Sequence, residues 1–274
     1  MAWDPATDRS GKFGQPGDIL VLGDWDGSGT TKIGIFRPST GLWALDMNGN
    51  CQWDVGVDRF GAFGQAGDVP VVGDWSGDGK TKIGIYRPSA SMFSLDMNGN
   101  LGWDSGDQSG FYGQSGDVPV IGDWTGDHKA KVGVFRPSTG WWALDVNANI
   151  ILEPGTDKTG VFGQSGDVPI LGDWNGDGKT KAGIFRPSAA LFSLDYYGNL
   201  MWDSGSDRSG TFGVPGDTAI VGDWDGSGAT KIGVFRSSAA LWALDLKGDI
   251  TWDARANRTG SFGAPGDQPI IGRW

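Results

Sequence analysis

Among 274 residues there is one cysteine, Cys51, and one histidine, His128. A single thiol excludes a disulfide framework and a multi-cysteine metal centre, and a single imidazole excludes a His-rich one. Basic residues are also outnumbered: 22 Lys and Arg stand against 33 Asp and Glu, a formal charge of −11. Phosphate backbones would be repelled across most of such a surface, so nucleic acid is not an expected partner. No apolar run approaches the roughly 18 residues that span a bilayer, and no membrane insertion is expected. Nor does any segment hold a 3.6-residue apolar period long enough to predict a helix. What is abundant is glycine, at 49 positions, and tryptophan, at 15. Glycine excess alone would suit a disordered chain, but 12% aromatic and 38% hydrophobic residues suffice for a core.

The tryptophans mark a repeat. Gly-Asp-Trp ends at Trp25, Trp75, Trp124, Trp174 and Trp224, in steps of 50, 49, 50 and 50 residues, and a variant Gly-Arg-Trp ends 50 residues later at Trp274. A second marker, Trp-Asp, begins at Trp3, Trp53, Trp103, Trp202 and Trp252, with Leu152-Glu153 in the fourth copy. Within a unit, Val69–Trp75 reads as a first strand and Ser76–Lys80 as a polar loop. Lys82–Tyr86 follows as a second strand stopped by Arg87-Pro88, then Met92–Met97 as a third, ending in the turn signal Asn98-Gly99-Asn100. Leu101–Trp103 is expected as the fourth, before a Gly-rich connection. Four short antiparallel strands repeated in tandem predict an all-β chain and, specifically, a β-propeller. A linear β-solenoid is the alternative, although its repeats are usually shorter.

The units run approximately 3–50, 53–100, 103–149, 152–200 and 202–250, with a half-unit 252–274, in a single domain spanning 1–274. An extra fourth-strand copy (Ala2-Trp3-Asp4) precedes the whole units, and an extra first-strand copy (Gln268–Trp274) follows them. Five blades with redundant ends are expected. A six-bladed or domain-swapped assembly, with self-association through the terminal strands, is the alternative. Near-identical neighbours favour such exchange, because each interface fits every other. Recent amplification of one blade and deliberate construction would both leave this uniformity.

The loop after the first strand carries oxygen side chains at its positions one, three and five: Asp24, Asp26, Ser28; Asp74, Ser76, Asp78; Asp123, Thr125, Asp127; Asp173, Asn175, Asp177; and Asp223, Asp225, Ser227. Such alternation aims several oxygens at one point and suits a hard cation such as calcium. With the Phe-Gly…Gly-Asp connection (Phe63-Gly64 to Gly67-Asp68) and the Gly-Asp-Trp strand end, the loop resembles the FG-GAP, integrin-type repeats related to VCBS repeats, over nearly the whole chain. That resemblance implies a propeller, an extracellular location, calcium in the loops and, through similar lectin propellers, carbohydrate ligands. The sequence departs from the pattern at position nine, where Lys32, Lys82, Lys131, Lys181 and Lys231 replace the acid. A lysine ammonium can donate to the same oxygens a metal would bind, so no cofactor is expected, and calcium only if it binds despite the lysines.

Arg37, Arg87, Arg136, Arg186 and Arg236 recur after the second strand, and Asp46, Asp96, Asp145, Asp195 and Asp245 in the third. Equal counts suggest Arg–Asp pairs between the two sets. Trp43, Phe93, Trp142, Phe192 and Trp242 alternate along the third strand; they either pack between blades or, with the arginines, stack on sugar rings. No catalytic constellation stands out, since almost all acids belong to the repeat, and the chain is not expected to be an enzyme. His128, Trp141, Tyr196-Tyr197, Cys51 and Ser237 (for Pro) break the symmetry. His128 reads as a surface-loop substitution and Cys51 as a small strand residue. The expected function is multivalent, lectin-like binding of glycans, or of a protein surface; a purely structural scaffold is the alternative.

Overall fold

The computed structural model describes Asp4 and residues 8–274; Ala2 and Trp3 of the expected N-terminal strand copy lie outside the described residues. Five four-stranded antiparallel sheets follow one another, each built from consecutive strands. First strands run Ile19–Gly23, Val69–Gly73, Val118–Gly122, Val168–Gly172 and Thr218–Gly222. Second strands run Lys32–Arg37, Lys82–Arg87, Lys131–Arg136, Lys181–Arg186 and Lys231–Arg236, and third strands Leu42–Leu45, Met92–Leu95, Trp141–Leu144, Leu191–Leu194 and Leu241–Leu244. The one helical turn among the described residues, Ser237–Ala239, occurs where Ser237 replaces the proline of the other copies.

The fourth strands correct the sequence reading. They are Arg59–Ala62, Gln108–Phe111, Lys158–Val161, Arg208–Thr211 and Arg258–Ser261, in the Gly-rich stretch expected to be a connection. Leu101 and Gly102 instead form a bend and Trp103 is irregular, and Leu101 takes a positive φ of 68°. Cys51, its counterpart in the first blade (strands Ile19–Gly23 to Arg59–Ala62, blade I of blades I to V in chain order), is likewise a bend residue with φ 60°, not a strand residue. The turn is held by the third-strand aspartate: Asp96 accepts the amides of Gly99 at 2.7 Å, Asn100 at 3.2 Å and Leu101 at 2.8 Å.

First strands of successive blades lie side by side at the centre. A backbone tether joins neighbours: Thr81 donates its amide to the Asp24 carbonyl at 2.8 Å, and Thr81 Oγ1 accepts the Asp24 amide at 3.0 Å. Ala130, Thr180 and Thr230 repeat the first bond towards Asp74, Asp123 and Asp173. Thr31 of blade I makes it with the Arg273 carbonyl, at 2.6 Å, so the C-terminal segment is what closes the ring.

The core lies between blades. Trp25, Phe36, Trp43 and Leu45 of blade I meet Ile83, Ile85 and Leu101 of blade II, and the next three junctions repeat the arrangement. Each such large side chain contributes about 1.5–3 kcal/mol on burial. Second strands are buried along nearly their whole length, and in the first four blades both faces of the third strand are covered as well.

Candidate functional site

The polar loops are organised around lysine. Lys82 Nζ donates to Asp78 Oδ1 at 2.6 Å, Ser76 Oγ at 2.7 Å and Asp74 Oδ1 at 3.3 Å, and the lysine is buried. Lys32 reaches Asp26 and Ser28 at 2.5 and 2.7 Å, Lys181 reaches Asp177 and Asn175 at 2.5 and 2.6 Å, and Lys231 reaches Asp225 and Ser227 at 2.5 and 2.7 Å. Lys131 bonds Asp127 and Thr125 in the same way. The position-one aspartates are occupied by backbone: Asp74 accepts Gly77 and Gly79 amides at 2.8 and 2.7 Å. Asp24, Asp123, Asp173 and Asp223 take up amides of their own loops likewise. An ammonium and a calcium ion cannot share these oxygens, so the loops as arranged do not fit the ion. Among the described residues no group of three or more His, Cys, Asp or Glu is placed to hold a metal. The Lys82 ammonium holds the Asp78 carboxyl down at about 2, against a smaller upward push from burial. His128 sits in the third loop at φ 63°, where the other loops have glycine, and is exposed.

The repeated arginines are paired, but not with the third-strand aspartates as expected. Arg37, Arg87, Arg136, Arg186 and Arg236 fork onto Asp18, Asp68, Asp117, Asp167 and Asp217, the Gly-Asp residues ahead of each first strand, at 2.7–3.0 Å. Asp46, Asp96, Asp145, Asp195 and Asp245 serve the turns instead. Burial raises the carboxyls of Asp96, Asp145, Asp195 and Asp245 above their ordinary value, and the turn amides only partly oppose it.

The third-strand aromatics are interior. Trp43, Phe93, Trp142 and Phe192 are 0% exposed, each packed on the second-strand ring opposite it, and Trp43 and Trp142 donate Nε1 to the carbonyls of Phe63 and Phe162 at 2.8 Å. Rings so placed offer no face to a sugar. Trp242 differs: it is half-buried at the last blade.

Sequence reasoning assigned no site to the Trp-Asp tryptophans, taking them as architecture. Yet Trp53, Trp103, Trp202 and Trp252 are 42–58% exposed, at equivalent positions around the ring. Each stands 5.8–6.2 Å, centroid to centroid, from a phenyl ring of the preceding connection: Phe13, Phe63, Phe162 and Phe212. The signal was their regular spacing; the sequence reading set Trp103 on a fourth strand, whereas none of the four lies on a strand. Trp141, the one tryptophan outside the repeat, lies under the Arg136 guanidinium at 4.5 Å.

The class this architecture defines is the β-propeller of five four-stranded blades, with repeated loop and interblade features. No protein-family model matches the chain, and no curated protein matches its sequence. No helix among the described residues is long and apolar enough to cross a membrane.

Proposed function

We propose that the chain is a non-enzymatic, multivalent carbohydrate-binding module whose stacking surfaces are the indoles of Trp53, Trp103, Trp202 and Trp252. The observation that carries this reading is the repetition of one half-exposed, ring-backed indole in four of five copies. An indole in water is poorly solvated on its face, and the C–H face of a sugar covers it while neighbouring polar groups bond the hydroxyls. Such groups adjoin each ring in sequence: Asp54, Asp104, Asp203 and Asp253 follow directly, and Asn50, Asn100 and Asn199 bond the first three of these acids at 2.6 Å. Shallow sites of this kind are individually weak, and four on one rigid ring raise avidity by ~10²–10⁴ on a displayed glycan. Membership of the FG-GAP-like repeats and an extracellular setting belong to the same proposal, supported by the Phe-Gly…Gly-Asp connection and the Asp-rich loop.

A glycan-array screen of the labelled, folded protein in calcium-containing buffer tests it. Hits competed by free sugar and lost in Trp53→Ala and Trp202→Ala are expected. A blank array favours the second reading, a scaffold without a ligand, which the engagement of every repeated arginine and four of the five third-strand aromatics supports.

A further inference from the structure

Three side chains that vary from copy to copy meet around one small cavity between blades III and IV. Its volume is about 80 Å³, and Lys158, Lys179, Lys181, Asp177 and Tyr197 are among the residues that line it. Lys158 opens the fourth strand of blade III, where blade II has Gln108. Lys179 belongs to the polar loop of blade IV, where blade V has Ala229. Tyr197 follows the third strand of blade IV, where blades I to III have Asn48, Asn98 and Asn147.

Three ammonium groups and one carboxylate thus line the cavity, and that carboxylate is already taken. Lys181 Nζ donates to Asp177 Oδ1 at 2.5 Å and to Asn175 Oδ1 at 2.6 Å. Among the described residues, neither Lys158 nor Lys179 has a carboxylate partner for its ammonium. Lys158 Nζ donates to the Gly198 carbonyl at 3.2 Å, and Lys179 reaches Asp177 through its backbone amide, at 3.0 Å. Lys158 is exposed overall, yet the protein crowding its ammonium, and next the charge of Lys179, push it below the ordinary lysine value. The carboxyls of Asp195 and Asp177 oppose this only in part. An anion between two such ammonium groups relieves their repulsion and replaces the water they have lost.

Tyr197 joins this notch to the Trp202 surface. In blades II and III the residue at its place, Asn98 or Asn147, donates to the acid of the Trp-Asp position, Asp104 or Glu153, at 2.7 Å, and in blade V Lys247 reaches Asp253 at 2.6 Å. A side chain from this place therefore reaches the neighbourhood of Asp203, which directly follows Trp202. Tyr197 is 70% exposed and Trp202 50%, so both offer ring area to a ligand. The charge chemistry narrows the ligand further. Two separate ammonium groups act as point charges that each take an oxygen of a tetrahedral anion, whereas a planar carboxylate is matched by a guanidinium fork, which does not line this cavity. The cavity admits an oxyanion head and not a pyranose ring. We propose that the junction of blades III and IV is a subsite for a sugar bearing a tetrahedral oxyanion ester, sulfate or phosphate, with the oxyanion between Lys158 and Lys179 and the sugar ring on Tyr197. This rests on the carbohydrate reading of the exposed indoles and gives the blade IV copy a preference for an acidic glycan.

Titrating the ¹⁵N-labelled protein with glucose 6-sulfate, glucose 6-phosphate, glucose and inorganic sulfate, followed through amide shifts, tests the proposal. At least one ester is expected to bind about tenfold or more tighter than both glucose and inorganic sulfate, moving the amides of 158, 178–181 and 197–199. The tighter of the two esters identifies the natural one. Lys158→Gln and Lys179→Ala install residues that other copies already carry at these places, so both variants should fold. Each should weaken the ester about tenfold and leave glucose unchanged. Tyr197→Asn, again the residue of other copies, should bring the ester down to the affinity of inorganic sulfate. Esters and glucose bound equally, and both lost in Trp202→Ala, would overturn the proposal and leave the carbohydrate reading standing. Inorganic sulfate as tight as the esters, shifts confined to other residues, or lysine variants without effect would also overturn it. No shift with any sugar would remove the proposal together with the carbohydrate reading of blade IV.

Discussion

Arg87 grips Asp68 with both prongs of its guanidinium, Nε to Oδ1 and Nη2 to Oδ2, each at 2.8 Å, and the carboxylate is wholly shielded from solvent. Asp68 Oδ2 also takes the Gln65 amide at 2.9 Å, so the pair fixes the turn that enters blade II. Removing the arginine strands a buried charge. Arg87→Ala should destabilise on the order of 3 kcal/mol. Arg87→Lys, which keeps the charge but loses the fork, should cost about half of that. Asp267→Asn, where no arginine is present, should stay within about 0.5 kcal/mol. Urea denaturation reads all three, and an Arg87→Ala effect as small as that of Asp267→Asn would refute the structural role.

The loop lysines predict a pH signature. The Lys82 bond holds Asp78 down to about 2. A carboxylate depressed in the folded state contributes stability above its ordinary value and loses it as pH falls through the folded one. Asp78→Asn should therefore be less stable than wild type at neutral pH, and the difference should fade between the ordinary carboxylate value and about 2. The carboxylate is half exposed, so salt should shrink the effect. Asp96, Asp145, Asp195 and Asp245 are raised and give the opposite slope, favouring the folded state as pH falls towards the ordinary value. Denaturation midpoints of the two proteins across the acid range decide it.

Blade order and three strands of four were legible because they obey local rules: alternation, β-branched residues and a breaker after each strand. The fourth was not. Gln108–Phe111 is an outer edge strand with two of its residues glycine or serine, and an edge facing water needs no apolar pattern. Leu101 and Trp103 looked like a strand because they are apolar, but Leu101 is buried at a turn while Trp103 stands out in solvent. The lysine-filled loops could be read from composition at fixed spacing. The arginine partner could not, since Asp18 and Asp46 both recur once per unit and only the tertiary path chooses between them. Alternation also failed to say which face of the third strand meets solvent, because in the first four blades neither does.

The two classes of tryptophan should respond oppositely to truncation. Trp142 is fully enclosed, and Trp142→Ala should cost about 3–5 kcal/mol through lost contacts and the cavity left behind. Trp202 is half exposed, and Trp202→Ala should cost under about 1 kcal/mol. Collisional quenching by acrylamide should reach the Trp202 class and spare the Trp142 class. A large stability loss in Trp202→Ala would make that indole a packing element and remove it from the binding proposal.

Glycine at the blade junction should be less replaceable than glycine in strained but open turns. A Cβ on Gly110 would lie 2.5 Å from the carbonyl oxygen and 2.8 Å from the Cβ of Ile150 in the next blade. Ile150 cannot retreat easily, because Asp145 Oδ2 accepts its amide at 2.8 Å and holds this β-branched residue at φ 56°. Gly110→Ala should thus destabilise by about 2–3 kcal/mol, the overpacking range. Gly116 has φ 88° but nothing within 4 Å of an added Cβ, so Gly116→Ala should cost about 1–2 kcal/mol, from backbone conformation alone. Asp145→Asn should separate the two mechanisms. By loosening the Ile150 turn it should lessen the further loss caused by Gly110→Ala and leave the loss from Gly116→Ala unchanged, which thermal denaturation of the double variants measures.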